Sequence, residues 1–217
     1  MLPFGRLLGY APGKVGAYSS DYDSASPDEY PKRSAFRSYV DGIYMGYKWQ
    51  CVEFARRWLY INKGYIFDDV AMAYDIFELR SVRDLSNNAL LPLNAFENGS
   101  QRFPEVGCLL IWQEGGEFEN TGHVAIVTEV TDHYLRIAEQ NVDHLAWPEG
   151  RDYARELKTQ VTADGEYWVS CSFGEAQILG WMIQTDDTTH AVSQPELDSR
   201  LNRIISGRLS SKPLKSS

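Results

Sequence analysis

Two apolar segments separated by only three residues constrain the fold of this chain more than any other feature. Residues 123–130 and 134–141 are rich in β-branched and apolar side chains, and the polar tripeptide 131–133 lies between them. Strand-forming segments joined by so short a connection predict an antiparallel β-hairpin. The chain is therefore expected to build a sheet around this hairpin.

The hairpin also contains a candidate catalytic residue, because its first strand begins at His123. If Val130 pairs with Tyr134, Asn141 faces His123 and Glu139 lies diagonal to it on the same face. The diagonal separation is about 7–8 Å between backbone positions, which two side chains can span. A third group placed in this way orients the imidazole in catalytic triads.

The register of the hairpin decides which side chain orients His123. A carboxylate, such as that of Glu139, would also stabilise the charged form of the ring. A connection of two residues would send Glu139 to the opposite face and bring Gln140 to this one. The residues alone leave the choice between Glu139 and Asn141 open.

A second constraint is an amphipathic segment that begins near a cysteine. Apolar residues recur at helical spacing through residues 50–63, and Gly64 is a natural C-terminal stop, so a helix is predicted with Cys51 in its first turn. The partial positive charge and unpaired N–H groups of a helix N-terminus favour a thiolate, which is the attacking species. Gln50 adds a side-chain amide that, with the backbone N–H of Cys51, is placed to hold the oxygen of a tetrahedral intermediate.

Other patterns complete a single α+β domain with an antiparallel sheet. A loop region is expected before the cysteine helix, and a second helix over residues 69–80 with Val70, Ala73, Ile76 and Phe77 on one face. Further strands are predicted at 108–112, 155–161, 167–170 and 177–184. We expect one domain over residues 1–185 and an extension over 186–217, with a short helix at 196–209 and a frayed end.

Composition narrows the classes of function. The chain has 217 residues, 43% of them hydrophobic, which suits one domain with a full core. A net charge of −9 argues against nucleic acid as a ligand. No segment is long and apolar enough for a membrane span or a signal peptide, so a cytoplasmic location without membrane attachment is expected.

The remaining cysteines and histidines give no sign of a metal site or a disulfide framework. Three cysteines are an odd number, and together with the four histidines they show no zinc-like spacing. Cys108 lies in an apolar strand and is interpreted as a small core residue. Neither a metal nor an organic cofactor is therefore expected.

Arg56 has two interpretations of equal weight. It follows Cys51 by five residues, more than one helical turn, so its guanidinium is able to reach a substrate carboxylate near the thiol. A structural ion pair explains a helix arginine equally well.

These residues, taken together, resemble a known family. Residues 48–57 (KWQCVEFARR), 122–126 (GHVAI) and 137–141 (IAEQN) are similar to the CHAP superfamily of cysteine- and histidine-dependent amidohydrolases/peptidases. More narrowly, they resemble the amidase domain of bifunctional glutathionylspermidine synthetase/amidase and of trypanothione synthetase. The narrower resemblance also includes residues 4–12, 18–22, 36–39 and 179–185, and so runs from about residue 2 to 185.

The resemblance implies a papain-like CHAP fold, with N-terminal helices packed on an antiparallel sheet, and a set of site residues. Arg56 and Asn141 would bind substrate. The catalytic residues that it implies are Cys51 as nucleophile, His123 as base and then acid, Glu139 as orienting carboxylate, and Gln50 as an oxyanion donor.

The implied reaction is hydrolysis of the amide between the glycine carboxyl of glutathione and spermidine, through a thioester acyl-enzyme. The expected partner is thus a small molecule, a glutathione–polyamine conjugate. The bifunctional relatives also carry an ATP-dependent ligase domain, and only the amidase part fits this chain.

Two alternatives remain at this point. CHAP domains often cleave peptidoglycan, although the acidic charge and the absence of a signal peptide count against a wall amidase or endopeptidase. A catalytically silent module that binds polyamine conjugates is the second, and the presence of Cys51, His123 and Glu139 disfavours it.

Overall fold

The structure, a computed structural model, describes residues 1–200 of the chain. Its longest helix is α1 (Cys51–Lys63). Within the described residues the strands are, in chain order, β1 (Leu7–Ala11), β2 (Val15–Tyr18), β3 (Arg37–Val40), β4 (Ile43–Tyr47), β5 (Tyr65–Ile66), β6 (Ser81–Asp84), β7 (Leu90–Glu97), β8 (Leu109–Trp112), β9 (His123–Val130), β10 (Tyr134–Ala138), β11 (Arg155–Val161), β12 (Tyr167–Val169) and β13 (Ile178–Gln184). Short 3₁₀ segments lie at Pro12–Lys14, Tyr22–Ser24, Arg33–Phe36, Ala73–Glu78 and Gly116–Phe118.

One large antiparallel sheet organises the domain. Its strand order is β12-β11-β10-β9-β8-β13-β7-β6-β5, and α1 packs against its strands β9 and β5 and also against β4, which lies outside it. Apolar side chains on one face of the sheet pack with α1, and those on the other face form a second cluster around Trp112, Tyr167 and Trp181. The α+β fold with an antiparallel sheet that the sequence predicts is confirmed.

The N-terminal region differs from the loop that the sequence suggested. Residues 7–18 form the hairpin β1–β2, and residues 37–47 form the hairpin β3–β4, each outside the large sheet. Inward-facing side chains such as Leu8, Val15 and Ala17 join the core beside α1. The prediction of a loop was wrong because these strands have only four or five residues, too few to show a clear alternation.

Helix α1 forms as predicted, between Gln50 and Gly64. Gly64 has a left-handed backbone (φ 73°), and its N–H donates to the carbonyl of Tyr60, which ends the helix. The apolar side chains of Phe54 and Leu59 are fully or almost fully buried. The core-facing stripe of the helix therefore fixes Cys51 at its first position.

The second predicted helix is instead the 3₁₀ segment Ala73–Glu78. The backbone N–H of Ala73 donates to the carbonyl of Thr121 in a neighbouring loop, and Asp75 caps the N–H of Met72. These bonds hold a short turn in place of a longer helix. The predicted apolar face is still correct, since Ile76 and Phe77 are fully buried.

The C-terminal strands match the predicted strands closely, and the described residues after β13 pack against the core. Strands β9 and β11 have the predicted bounds, and the others differ at their ends by one to three residues. Residues 194–200 are helical, with Leu197 buried in the core beside α1. The rest of the helix predicted at 196–209 lies outside the described residues. No helix in the described part of the chain is long and apolar enough to cross a membrane.

Candidate active site

The N-terminus of α1 and the start of β9 bring Cys51 and His123 together. Cys51 and His123 interact closely enough for Cys51 to raise the pKa of the imidazole, and both residues are buried, with 6% and 1% of their surface exposed. The Nε2 atom of His123 lies 2.8 Å from Oε2 of Glu139. Since Nε2 is occupied by the carboxylate, Nδ1 is the ring nitrogen that faces the thiol.

A β-bulge places Glu139 beside His123. Near the connection, β10 pairs with β9 one residue out of the predicted register, with Leu135 opposite Val130. The register then shifts, so that Ile137 is opposite Val127, as the predicted pairing requires. Thr128 is the extra residue. Without it, Glu139 would turn to the opposite face.

Opposing effects set the charge state of the imidazole. Burial by itself lowers the pKa of His123, but the hydrogen bonds and negative charges of Cys51 and Glu139 outweigh it and raise the pKa to about 9. Burial raises the pKa of Glu139, and the contacts with His123 and Arg155 more than offset this and lower it. At neutral pH the imidazole of His123 is therefore protonated and lies beside the ionised carboxylate of Glu139.

Aromatic rings close the remaining sides of the imidazole. Phe118 stacks on His123 with ring centroids 4.7 Å apart and an interplanar angle of 9°, and Trp112 lies 5.2 Å away. Phe118 comes from the acidic, glycine-containing segment that precedes β9. This environment keeps water from the charged pair.

Gln50 is oriented by neutral groups. Its Nε2 donates to the hydroxyl of Tyr22 over 2.9 Å, and its Oε1 accepts from Nδ2 of Asn141 over 2.8 Å. Asn141 in turn accepts from Ser20, and the Tyr22 hydroxyl donates to the carbonyl of Lys48. An amide carries two N–H donors, so one remains to point at a substrate oxygen beside Cys51.

A buried charged network ties the nucleophile's helix to the segment after β10. Glu53, which has no exposed surface, bonds to Arg57 at 2.7 Å and accepts from Ser38 and from Nε2 of Gln140, each at 2.8 Å. The same Nε2 donates to the backbone carbonyl of Gln50. These bonds fix Gln50 and Cys51 relative to the neighbouring Glu139.

Arg56 points away from the thiol. Its guanidinium donates to the backbone carbonyls of Phe67 and, at 2.9 Å, Tyr44, and 5% of the residue is exposed. It does not line the cavity that contains Cys51. The geometry gives it contacts within the fold and none with the cavity, so substrate binding by Arg56 stays a prediction.

Two cavities meet at Thr121 and Asn141, one lined by Cys51 and the other by His123. The larger cavity has a volume of about 820 Å³ and is lined by Cys51, Gln50, Tyr47 and Arg33 among others. The smaller cavity, of about 320 Å³, is lined by residues 117–123 and Asn141. Both are of a size that holds small molecules.

The other two cysteines are not placed for catalysis. Burial raises the pKa of the Cys108 thiol to about 12, which agrees with a core residue. Cys171 accepts a hydrogen bond from the indole of Trp112. Among residues 1–200, no group of three or more histidines, cysteines and carboxylates is arranged to hold a metal ion.

Comparison with known proteins agrees with this geometry. The CHAP domain family matches residues 42–141, a range that includes Cys51, His123 and Glu139. The individual proteins that the chain resembles are described more specifically than the family. The bifunctional glutathionylspermidine synthetase/amidase of Escherichia coli (strain K12) is 54% identical over 210 residues, which are 97% of this chain and 34% of that protein.

Two relatives from Crithidia fasciculata are more distant. Its trypanothione synthetase is 39% identical over 184 residues, and its glutathionylspermidine synthase is 30% identical over 203 residues; each match includes 83% of this chain and 26% of the relative. The chain thus spans about a third or less of the length of these curated relatives.

Proposed function

We propose that this chain is a cysteine amidase that hydrolyses glutathionylspermidine to glutathione and spermidine. The observation that carries the proposal is the ordered contact of Cys51, His123 and Glu139 at the junction of two cavities. Its 54% identity to a protein described as glutathionylspermidine synthetase/amidase supports the substrate. No cofactor is invoked, because thiol chemistry of this kind needs none.

Each step of the proposed reaction uses a group that lies at the site. The Cys51 thiolate attacks the glycyl carbonyl, and the negative oxygen that forms is held by the backbone N–H of Cys51 and the amide of Gln50. Protonated Nδ1 of His123 then donates its proton to the departing amine, which leaves a thioester and a neutral imidazole. Nδ1 next takes a proton from a water molecule, and the resulting hydroxide attack releases glutathione and regenerates the thiolate.

The position of the proton donor determines the orientation of the substrate in the site. Since His123 protonates the amine, the polyamine leaves on the His123 side, where the smaller cavity is lined by Glu117 and Glu119. The glutathionyl part then occupies the larger cavity, where Arg33 lies over the ring of Tyr47 at 5.0 Å. Carboxylates match the cationic polyamine, and the guanidinium matches the carboxylate of the γ-glutamyl group.

A product assay tests the proposal. Purified protein is incubated with glutathionylspermidine and, separately, with peptidoglycan fragments, and the products are identified by mass. We expect glutathione and spermidine from the first and no cleavage of the second. Cys51→Ala should lower the rate by at least about 10⁴-fold, as loss of a nucleophile does in other triads, while its melting temperature stays near the wild-type value.

A matched control separates the nucleophile from thiols in general. Cys171→Ala removes a thiol that lies outside both cavities and should retain wild-type turnover. Cleavage of wall fragments alone would assign the chain to the wall-cleaving class. Binding of glutathionylspermidine without turnover would indicate a silent binding module.

A further inference from the structure

Arg155 is the charged residue next to the catalytic groups for which the reaction steps give no role. It is the first residue of β11, opposite Ile137 of β10, and so lies where β10 ends and Glu139 follows. Its Nε is 2.9 Å from Oε1 of Glu139, the oxygen that His123 does not use. The carboxylate is thus held by one donor on each oxygen.

The position of Arg155 is fixed from its other sides. Its guanidinium lies 4.2 Å from the ring centroid of Phe173, and one terminal nitrogen is 3.3 Å from Asp143. Phe173 packs edge-on against Phe118 with centroids 4.9 Å apart, and Phe118 stacks on His123. The contacts therefore form a closed ring that runs from the imidazole through the carboxylate, the guanidinium and two aromatic rings back to the imidazole.

We propose that Arg155 is a positioning residue that keeps Glu139 ionised in the acyl-enzyme and thereby holds His123 in the tautomer whose free Nδ1 faces Cys51. The proposal rests on the thioester mechanism given above. It assigns to Arg155 a role in deacylation beyond that of an ordinary ion pair.

The need for Arg155 arises because His123 changes charge during the reaction. In the free enzyme the imidazolium neutralises Glu139, which is 3% exposed. After the leaving amine has taken the proton, the imidazole is neutral, and without Arg155 the carboxylate would be a buried charge with no cation beside it. Such a charge is costly away from water, so the carboxylate would gain a proton instead.

A protonated Glu139 would reverse the tautomer of the imidazole. The acid would donate to Nε2, and a neutral ring that accepts at Nε2 carries its proton on Nδ1. That ring has no lone pair toward the thioester and cannot take a proton from water. With Arg155 in place, Glu139 accepts from Nε2–H and leaves Nδ1 free as the base.

The charged groups around the pair give the sign of the expected pH effect. His123 and Arg155 face Glu139 directly, Asp143 faces Arg155, and Cys51 faces His123. The positive charge of Arg155 favours the deprotonated imidazole, so its removal raises the pH at which His123 becomes a base.

The kinetic test uses Arg155→Met and Arg155→Lys in the full chain, with Arg151→Met as control. Arg151 stacks on Tyr153 at 5.2 Å and lines neither active-site cavity. At neutral pH, rapid-quench intact mass should show a thioester accumulating in Arg155→Met, with deacylation slowed about tenfold for each unit by which the pKa rises. The deficit should shrink as the pH increases, and Arg155→Lys should show a smaller change in the same direction.

A spectroscopic test does not depend on turnover. In a Cys51→Ala background, which lacks the thiolate as the acyl-enzyme does, ¹⁵N NMR of His123 should show a proton on Nε2 in the neutral ring. Adding Arg155→Met should raise the pKa of His123 and move the proton toward Nδ1. An unchanged pKa and tautomer, or equal slowing of acylation and deacylation at every pH, would overturn the role of Arg155.

The outcomes separate the two proposals. If the wild-type protein does not hydrolyse glutathionylspermidine, the proposed function fails, while the NMR titration still decides the role of Arg155. If Arg155→Met does not fold, Arg155→Lys decides it, because lysine keeps the charge but not the paired geometry of a guanidinium.

Discussion

The two sides of the active site are held by different kinds of interaction. On the nucleophile side, the amide of half-buried Gln50 is held by the neutral groups of Tyr22 and Asn141. On the base side, buried His123 is held by the charges of Glu139 and Arg155. The difference follows from the proposed role of each side. An oxyanion donor needs only the correct orientation. A buried imidazole that becomes charged needs a counter-ion, because water does not solvate it.

The largest effect is expected from removing the charge on the base side. Glu139→Gln should lower kcat roughly 10³- to 10⁴-fold, because the amide no longer fixes the tautomer and stabilises the imidazolium. The negative charge of Glu139 raises the pKa of His123 toward about 9, so its loss lowers that pKa. The alkaline limb of kcat/KM, which we expect near pH 9 in the wild-type protein, should therefore move to lower pH.

A pH–rate profile checks this prediction, with Glu156→Gln as the matched control. Glu156 is an exposed carboxylate on β11 that pairs with Arg136 at 3.0 Å and does not touch His123. Its variant should keep the wild-type profile. An alkaline limb that stays in place in Glu139→Gln would show that Glu139 does not set the charge of the imidazole.

A smaller effect is expected on the nucleophile side. Gln50→Ala should lower kcat by about 10²- to 10³-fold, as loss of an oxyanion donor does elsewhere, with little change in KM. Tyr22→Phe removes one of the two groups that orient this amide, so its effect should be weaker and also confined to kcat. Steady-state kinetics on both variants measure the difference.

Tyr30→Phe is the control for Tyr22, because both rings pack against Phe4 and Phe36 in one aromatic cluster. It should leave kcat unchanged. If Tyr22→Phe changed KM and left kcat intact, Tyr22 would act in substrate binding. That result would contradict the prediction that neutral groups orient Gln50 for catalysis.

The smallest effect on catalysis is expected from a change at Arg56, which belongs neither to the nucleophile side nor to the base side of the site. Arg56→Met leaves two backbone carbonyls without their donors and should lower the free energy of unfolding by about 2–4 kcal/mol, with KM near the wild-type value. Arg33→Met, in the larger cavity, should raise KM and leave the free energy of unfolding near the wild-type value. Urea denaturation and KM measurements on both decide whether Arg56 binds substrate.

Local patterns predicted the positions of Cys51 and His123 because each lies in a regular element. The helical spacing after Gln50 placed Cys51 at a helix start, and the strand that opens at His123 has the predicted bounds. The contact with Glu139 was predicted only as one of two choices, and it is reached through an extra residue at Thr128 that no alternation of side chains shows. The register at the end of the hairpin was predicted correctly, and the register at its start was not.

The groups that support the catalytic residues could not be predicted in the same way. Arg155 was recognised only as the first residue of a strand, and its contact with Glu139 depends on how β10 and β11 pair. Phe118 lies among acidic and glycine residues that indicate a solvent-exposed loop. Both act through contacts made after the chain has folded, for which a single sequence gives no periodic signal.

The buried network around Glu53 has a consequence for the chain as it is synthesised. Glu53 bonds to Ser38 on one side and to Gln140 on the other, so the network closes only after residue 140 has left the ribosome. Until then the backbone carbonyl of Gln50 also lacks its bond to Gln140. The start of α1 therefore gains its full set of contacts only when the segment after β10 is in place.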